Sequence, residues 1–202
     1  MTEHGTSGRA IRTVVGGVGY RNLRDHSLGI MMSDELEPEA RPPALLVEDL
    51  SYGPVAVGQW LLDEARDAPD GPITRAVFIS AVAREDGRPP GTICAYRWDH
   101  VLPSTDEIQR CVTDAVTGVI LLDNTLIVTA WMGALPTEVI VVEVEPREHA
   151  FGDDMSAPVE AAYGPAKRLV MTLATDVAAG QALPLMPLGG AWASTGVWTV
   201  AR

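Results

Sequence analysis

Short β-branched runs alternate with segments of helical period along most of this chain, and no other feature constrains its fold as tightly. Residues 11–15 form an apolar run that ends in Gly16-Gly17-Val18-Gly19, which reads as a strand entering a glycine turn. Leu23, Leu28, Ile30, Met31 and Leu36 predict a helix over 22–37, closed by Pro38. A second strand follows at 44–47, then a helix over 55–66 from the spacing of Val57, Trp60, Leu61 and Ala65. Strands are expected at 76–82, 92–98 and 139–144. The stretch 106–132 reads as helical for much of its length, and 119–132 is apolar on nearly every face. The last helix is the clearest: Val159, Tyr163, Ala166, Val170, Leu173 and Val177 recur at alternating steps of four and three. This alternation predicts a three-layer αβα sandwich with a mostly parallel five-stranded sheet. Residues 1–10 read as a flexible N-terminus, 11–178 as a single α/β domain and 179–202 as a Gly/Pro-rich tail.

Composition narrows the function classes. At 202 residues the chain suits one domain, and 47% hydrophobic residues supply a core. The 27 acidic and 15 basic residues give a net charge of −12, which speaks against a nucleic-acid footprint or docking on anionic lipid. No apolar run approaches the ~18 residues that span a bilayer, and residues 1–12 lack the apolar stretch of a secretory leader. A cytoplasmic protein is expected. Cys94 and Cys111 form no CxxC, so reduced, buried thiols are expected rather than a disulfide or a zinc ribbon.

Common site signatures are missing. Gly17-x-Gly19-x-x-Asn22 lacks the third glycine of a dinucleotide fingerprint, and the lone lysine, Lys167, lies in the last helix rather than in a phosphate loop. There is no G-x-S-x-G around Ser27, Ser51 or Ser80. His4, His26, His100 and His149 show no i, i+4 pairing, and His149 falls in an acidic loop that reads as a solvated face. In an open parallel sheet a site belongs beyond the carboxyl ends of the strands, which selects the turns 16–27, 48–54 and 80–87 and the start of the helix near Gly118.

Together those turns resemble the hydrogenase maturation endopeptidases, which trim the C-terminus of the large subunit of nickel–iron hydrogenases. The family's opening pattern G-x-G-N-x-L-x-x-D-D/E-G-x-G stands here as Gly17-Val18-Gly19-Tyr20-Arg21-Asn22-Leu23-Arg24-Asp25-His26-Ser27-Leu28-Gly29, with Gly17, Gly19, Asp25 and Gly29 in register. Its second turn, D-G-G-T-x-G, stands as Asp49-Leu50-Ser51-Tyr52-Gly53-Pro54, where the larger residues would fill space that a substrate tail needs. Pro90-Gly91-Thr92, the run Ile140 to Pro146 and Met155-Ser156-Ala157-Pro158-Val159-Glu160-Ala161 match later patterns in order, so the resemblance spans 11–177. It implies a hydrogenase maturation protease-like (phosphorylase/hydrolase-like) fold.

The resemblance also implies a site that binds nickel through an acid after the motif Asp, an Asp ending the third strand and a His opening the following helix. Those positions fall on His26, Ser80 and Gly118, of which only His26 is a credible ligand; a shift of a few residues at the third brings Asp114 or Asp123 nearby. No cofactor is expected, and nickel or zinc only if the family's site is retained. Asp25 and Asp49 are the catalytic candidates. The leading expectation is a binding or assembly factor for a nickel–iron hydrogenase large subunit or related metalloprotein. One alternative is a working endopeptidase using Asp25, His26, Asp49 and Asp114; another is a small-molecule hydrolase or binding protein on the same scaffold. Trp60 and Trp131 offer aromatic anchors for a partner, with Trp131 the better core candidate, and Arg21 and Arg24 are placed beside the cleft to fork onto a partner's carboxylates.

Overall fold

A computed structural model of the chain describes residues 11–189 apart from 68, 70 and 85. Strands β1 (Thr13–Gly17), β2 (Leu45–Asp49), β3 (Arg75–Ala81), β4 (Ile93–Trp98), β5 (Glu138–Val144) and β6 (Leu185–Met186) form one sheet in the order β2-β1-β3-β5-β4-β6. All pairs are parallel except β4 on β5, which is antiparallel. The helices are α1 (Leu28–Leu36), α2 (Pro54–Asp67), α3 (Thr105–Val116), α4 (Leu122–Trp131), α5 (Ala157–Thr175) and α6 (Val177–Gln181).

Two apolar layers enclose the sheet. On one face α1 and α5 bury Leu28, Met32, Leu36, Val159, Ala166, Val170 and Leu173 against Val15, Val77, Ile79 and Val142. On the other, α2 and α4 bury Val57, Leu61, Leu122 and Leu126 against Val14, Phe78, Tyr96 and Val141. Because β1 leads to β2 on one side and β3 lies on the other, the order reverses between β1 and β3, and a crevice opens over their carboxyl ends. The αβα sandwich is as expected from the alternation.

Four details differ from the sequence expectations. The helix expected over 22–37 begins as a 3₁₀ turn (Arg24–Ser27) and becomes α-helical only at Leu28. The stretch 106–132 is two helices: Ser104 caps α3 by accepting from the Glu107 N–H, and Gly118, at φ +86°, ends its run in the left-handed region. Trp131, the better core candidate, is 61% exposed, whereas Trp60 packs against the second core.

The fourth difference is at the C-terminus. The residues expected as a tail start inside α6 and supply a sixth strand, where the expected sheet had five. Pro184 and Pro187 hid this strand, yet prolines suit a sheet edge because it needs no outward donor. The Arg97 and Asp99 N–H groups donate to the Pro184 and Met186 carbonyls, and Leu183 and Met186 are buried. Residues 190–202, with Trp192 and Trp198, lie outside the described residues. Ending the chain after Ala179 removes β6 and the buried Leu183 and Met186. Two lost core side chains now predict a cost of about 3–6 kcal/mol, a fall in melting temperature of about 10 °C or more. A truncated chain that melts with the intact one would refute this.

Candidate functional site

The crevice holds a cavity of about 310 Å³ lined by Gly19, Tyr20, His26, Ser80, residues 81–84, residues 120–123 and His149. Its floor is the end of β3, and one wall is the β1–α1 turn. The facing wall is the start of α4, tied across by the Ile120 N–H donating to the Tyr20 hydroxyl. A third wall, residues 145–156, comes from the loop after β5.

Asp25 fixes that third wall. Its buried carboxylate accepts the Arg147 and Glu148 N–H groups at 2.8 Å each, the Ser156 N–H at 2.7 Å and the Ser156 hydroxyl at 2.8 Å. Burial alone would raise its pKa, but these donors outweigh burial and hold it below the usual carboxylate range. The Arg24 N–H donates to the Gly152 carbonyl and the Arg24 side chain pairs with Glu148, so the loop is tied down twice more. Asp25, a catalytic candidate from the sequence, therefore has its lone pairs committed to structure.

Asp49 is equally committed and lies outside the cavity lining. Its carboxylate accepts the Ser51 N–H at 2.9 Å and pairs with Arg21 at 3.1 Å. Arg21 also forks onto Asp34. Arg21 and Arg24, expected to reach a partner's carboxylates, are thus paired within the chain. Leu50 does not obstruct the cavity; it turns into the second core against Gly16, while the Ser51 hydroxyl accepts the Gly19 N–H. Asp114 accepts from Asn124 on α3's flank and does not line the cavity.

The three positions assigned by the resemblance separate. His26 and Ser80 line the cavity; Gly118 does not, because the helix opens four residues later and presents Leu122 and Asp123 instead. Ser80 donates to the Ala81 carbonyl at 3.4 Å, so no base holds its proton. Asp123 is held by Arg84 through two bonds of 2.6 and 2.8 Å.

Arg84 is the side chain sequence reasoning missed. It also donates from Nε to Glu143 at 3.1 Å, and Glu143 is 1% exposed. Arg88 at 3.3 Å and the Tyr96 hydroxyl at 2.8 Å complete the shell of that carboxylate. Burial works against the Arg84 charge, but Asp123 and Glu143 more than offset it, and its pKa rises. This clamp joins the loop after β3 to β5 and α4, with Arg84 and Asp123 themselves in the cavity lining. Its members lie far apart in the chain, and nothing in the local sequence signals it.

His149, read from the sequence as part of a solvated face, is exposed and also lines the cavity mouth. Its ring stands against His26 with centroids 4.7 Å apart and planes tilted by 55°. Burial, then His149, push the His26 pKa down against the opposing pull of Asp25, so His26 is neutral at pH 7. The only signal for this pairing was Asp25, whose bonds bring the 145–156 loop to the β1–α1 turn.

The nickel cradle implied by the resemblance does not fit these residues. One imidazole, a serine hydroxyl bonded to a backbone carbonyl and a carboxylate already bound to a guanidinium do not make a three-donor site. No group of three or more His, Cys, Asp or Glu among the described residues converges as a metal site.

Fold and cavity define a doubly wound αβα domain with its site at the β1/β3 switch point. Among solved structures, this is the fold of the hydrogenase maturation endopeptidases. The chain matches HybD from E. coli with a TM-score of 0.56 at 20% identity, covering 81% of this chain and 92% of that one. It matches a hydrogenase 2 maturation peptidase from a Thaumarchaeota archaeon at 0.53 and 23%, covering 79% and 96%. It matches the [NiFe] hydrogenase maturation protease HybD from Thermococcus kodakarensis at 0.52 and 15%, covering 82% and 100%. At these identities the likeness is one of fold. No family model matches the sequence, and no curated protein matches it. No helix among the described residues is long and apolar enough to cross a membrane.

Proposed function

We propose that this chain is a hydrogenase maturation protease-like protein that binds the large subunit of a nickel–iron hydrogenase, or a related metalloprotein, and assists its assembly without cleaving it. One observation carries the reading: the carboxylate that a shifted register brings to the third position, Asp123, is clamped by Arg84, and the strand-end position is Ser80, whose hydroxyl donates to a backbone carbonyl. A site with that carboxylate neutralised lacks the donor set that a metal-dependent peptidase needs. The cavity itself persists, open to a segment of a partner. Its rim carries exposed Leu121, and Phe151 stands 90% exposed on the loop beside it; both are apolar side chains suited to docking.

Co-expression with a large-subunit precursor, followed by affinity purification and intact-mass measurement, tests both halves. The expected result is a stable complex in which the precursor keeps its full mass. A shortened precursor would restore the endopeptidase reading with a rearranged site, and absence of any complex would leave only the fold.

A further inference from the structure

We infer that the segment 190–202 of this chain docks in the crevice between β1 and β3, with the Trp192 indole in its cavity. The residues that lead into the segment point there. Leu188 packs against the second core, and the Gly189 N–H donates to the buried Tyr96 hydroxyl at 3.2 Å. Gly189 takes a φ of +69°, in the left-handed region, and a Cβ added to it would lie 3.0 Å from Arg84 Nη1. Arg84 is part of the cavity lining. The backbone that enters the segment therefore rests on a wall of the cavity. Trp192 follows Gly189 by three residues, a reach of about 10 Å in an extended chain.

Guest and cavity match in size and in charge. At about 310 Å³ the cavity is at the small end of ligand-sized pockets, with room for one large side chain. Val82, Ala83, Ile120 and Leu122 give it apolar walls. Its two ionic groups, Arg84 and Asp123, neutralise each other, so the interior offers no free charge to a guest. The Ser80 hydroxyl spends its proton on the Ala81 carbonyl and keeps its lone pairs for an indole N–H. The segment suits such a site. It holds two of the chain's five tryptophans and no acidic residue, in a chain with 27 acids, and Arg202 is its one charged side chain. Each indole brings ~150–250 Å² of surface that gains by burial. At the rim, Leu121 and Phe151 are exposed and apolar, placed for Val197 and Trp198 to cover.

A partner segment entering the same cavity has to displace Trp192, so the docked segment sets how readily the site opens. The inference needs no hydrogenase subunit, and its test is separate from that of the assembly role. Hydrogen exchange is followed at the amides of 122–124, the start of α4, whose N–H groups have no acceptor within the helix. The full chain is compared with Trp192→Ala and with a chain ended after Gly189, which keeps β6, Leu183 and Met186. Exchange there is expected to be at least about tenfold faster in both variants, with β1 and β3 unchanged. A second measurement ties the indole to the cavity. Ala83 lines the cavity yet is exposed, so Ala83→Trp fills the mouth without disturbing the core. In fluorotryptophan-labelled chains, the Trp192 signal, assigned by its loss in Trp192→Phe, should be open to a soluble paramagnetic quencher in Ala83→Trp and shielded in the parent. Equal exchange in the three chains, or a Trp192 signal equally open in the parent and in Ala83→Trp, would overturn the inference. Protection that grows with chain concentration would place the segment on a second copy and overturn it as well.

Discussion

Replacing Arg84 by methionine is expected to lower the melting temperature by about 6–12 °C. The change keeps an apolar stem but leaves Glu143 and Asp123 without their shared counter-charge. Breaking one side of a buried ion pair costs about 3–5 kcal/mol, since the remaining charge stays desolvated. Arg88 and the Tyr96 hydroxyl still hold Glu143, which places this case near 3 kcal/mol. For a chain of this length each kcal/mol moves the midpoint by about 2–4 °C. The double change Arg84→Met with Glu143→Leu should recover part of the loss, because it removes the stranded charge rather than its partner alone. A melt of the single variant within about 2 °C of the parent would show that the clamp contributes little to stability.

The second large effect is expected at Asp25. Asp25→Ala leaves the Arg147, Glu148 and Ser156 N–H groups without their acceptor, at about 1–3 kcal/mol for each donor that stays buried. Part of this is recovered if 145–156 lifts into water, so a net loss of about 3 kcal/mol is expected, with His149 displaced from His26. Hydrogen exchange should then speed up at Arg147, Glu148 and Ser156 while β3 stays protected; uniform exchange across the chain would contradict a local role. The pH dependence has a definite sign. The folded-state pKa of Asp25 is lowered, so its stabilisation is present above the unfolded value of ~3.9 and fades as pH falls through that value towards the folded pKa. The parent should therefore lose more stability than Asp25→Ala between about pH 5 and the acid limit. Parallel stability curves for the two would contradict the assignment.

Much of the fold was legible because the signal is local. The β-branched runs, helical periods and glycine turn each lie within a dozen residues, and their order sufficed for the layers and for the turns that border the crevice, while the strand order came only with the structure. What escaped was set by contacts between distant parts of the chain. Strand β6 is two residues long and flanked by prolines, so no pattern marks it; its place is decided by the free edge of β4. The break between α3 and α4 hid behind a nearly continuous apolar pattern, although Gly118 was there to read as a stop. At the site, sequence patterns point to His26 but not to Arg84, and they place His149 only on a solvated loop. Arg84 matters through residues 39 and 59 positions away, and His149 through a carboxylate more than 120 positions earlier. Asp25 was noticed as a motif residue, but its identity alone could not distinguish a reacting carboxylate from one whose lone pairs are filled.

The glycines in the β1–α1 segment have a further consequence. A Cβ on Gly17 would lie 2.0 Å from the Gly29 carbonyl oxygen, and one on Gly29 would lie 2.4 Å from the Val18 carbonyl oxygen. The first helix therefore rests directly on the backbone of the first strand, and any side chain at either position would prise them apart. These glycines answer a mechanical need of the scaffold that is indifferent to whether anything is cut in the crevice above. A classifier trained on such a signature would sort chains by scaffold and not by the chemistry of the crevice. To sort them, it would have to weigh what faces the cavity: whether the helix-opening carboxylate is free or gripped by an arginine, and whether a histidine arrives from the loop after β5.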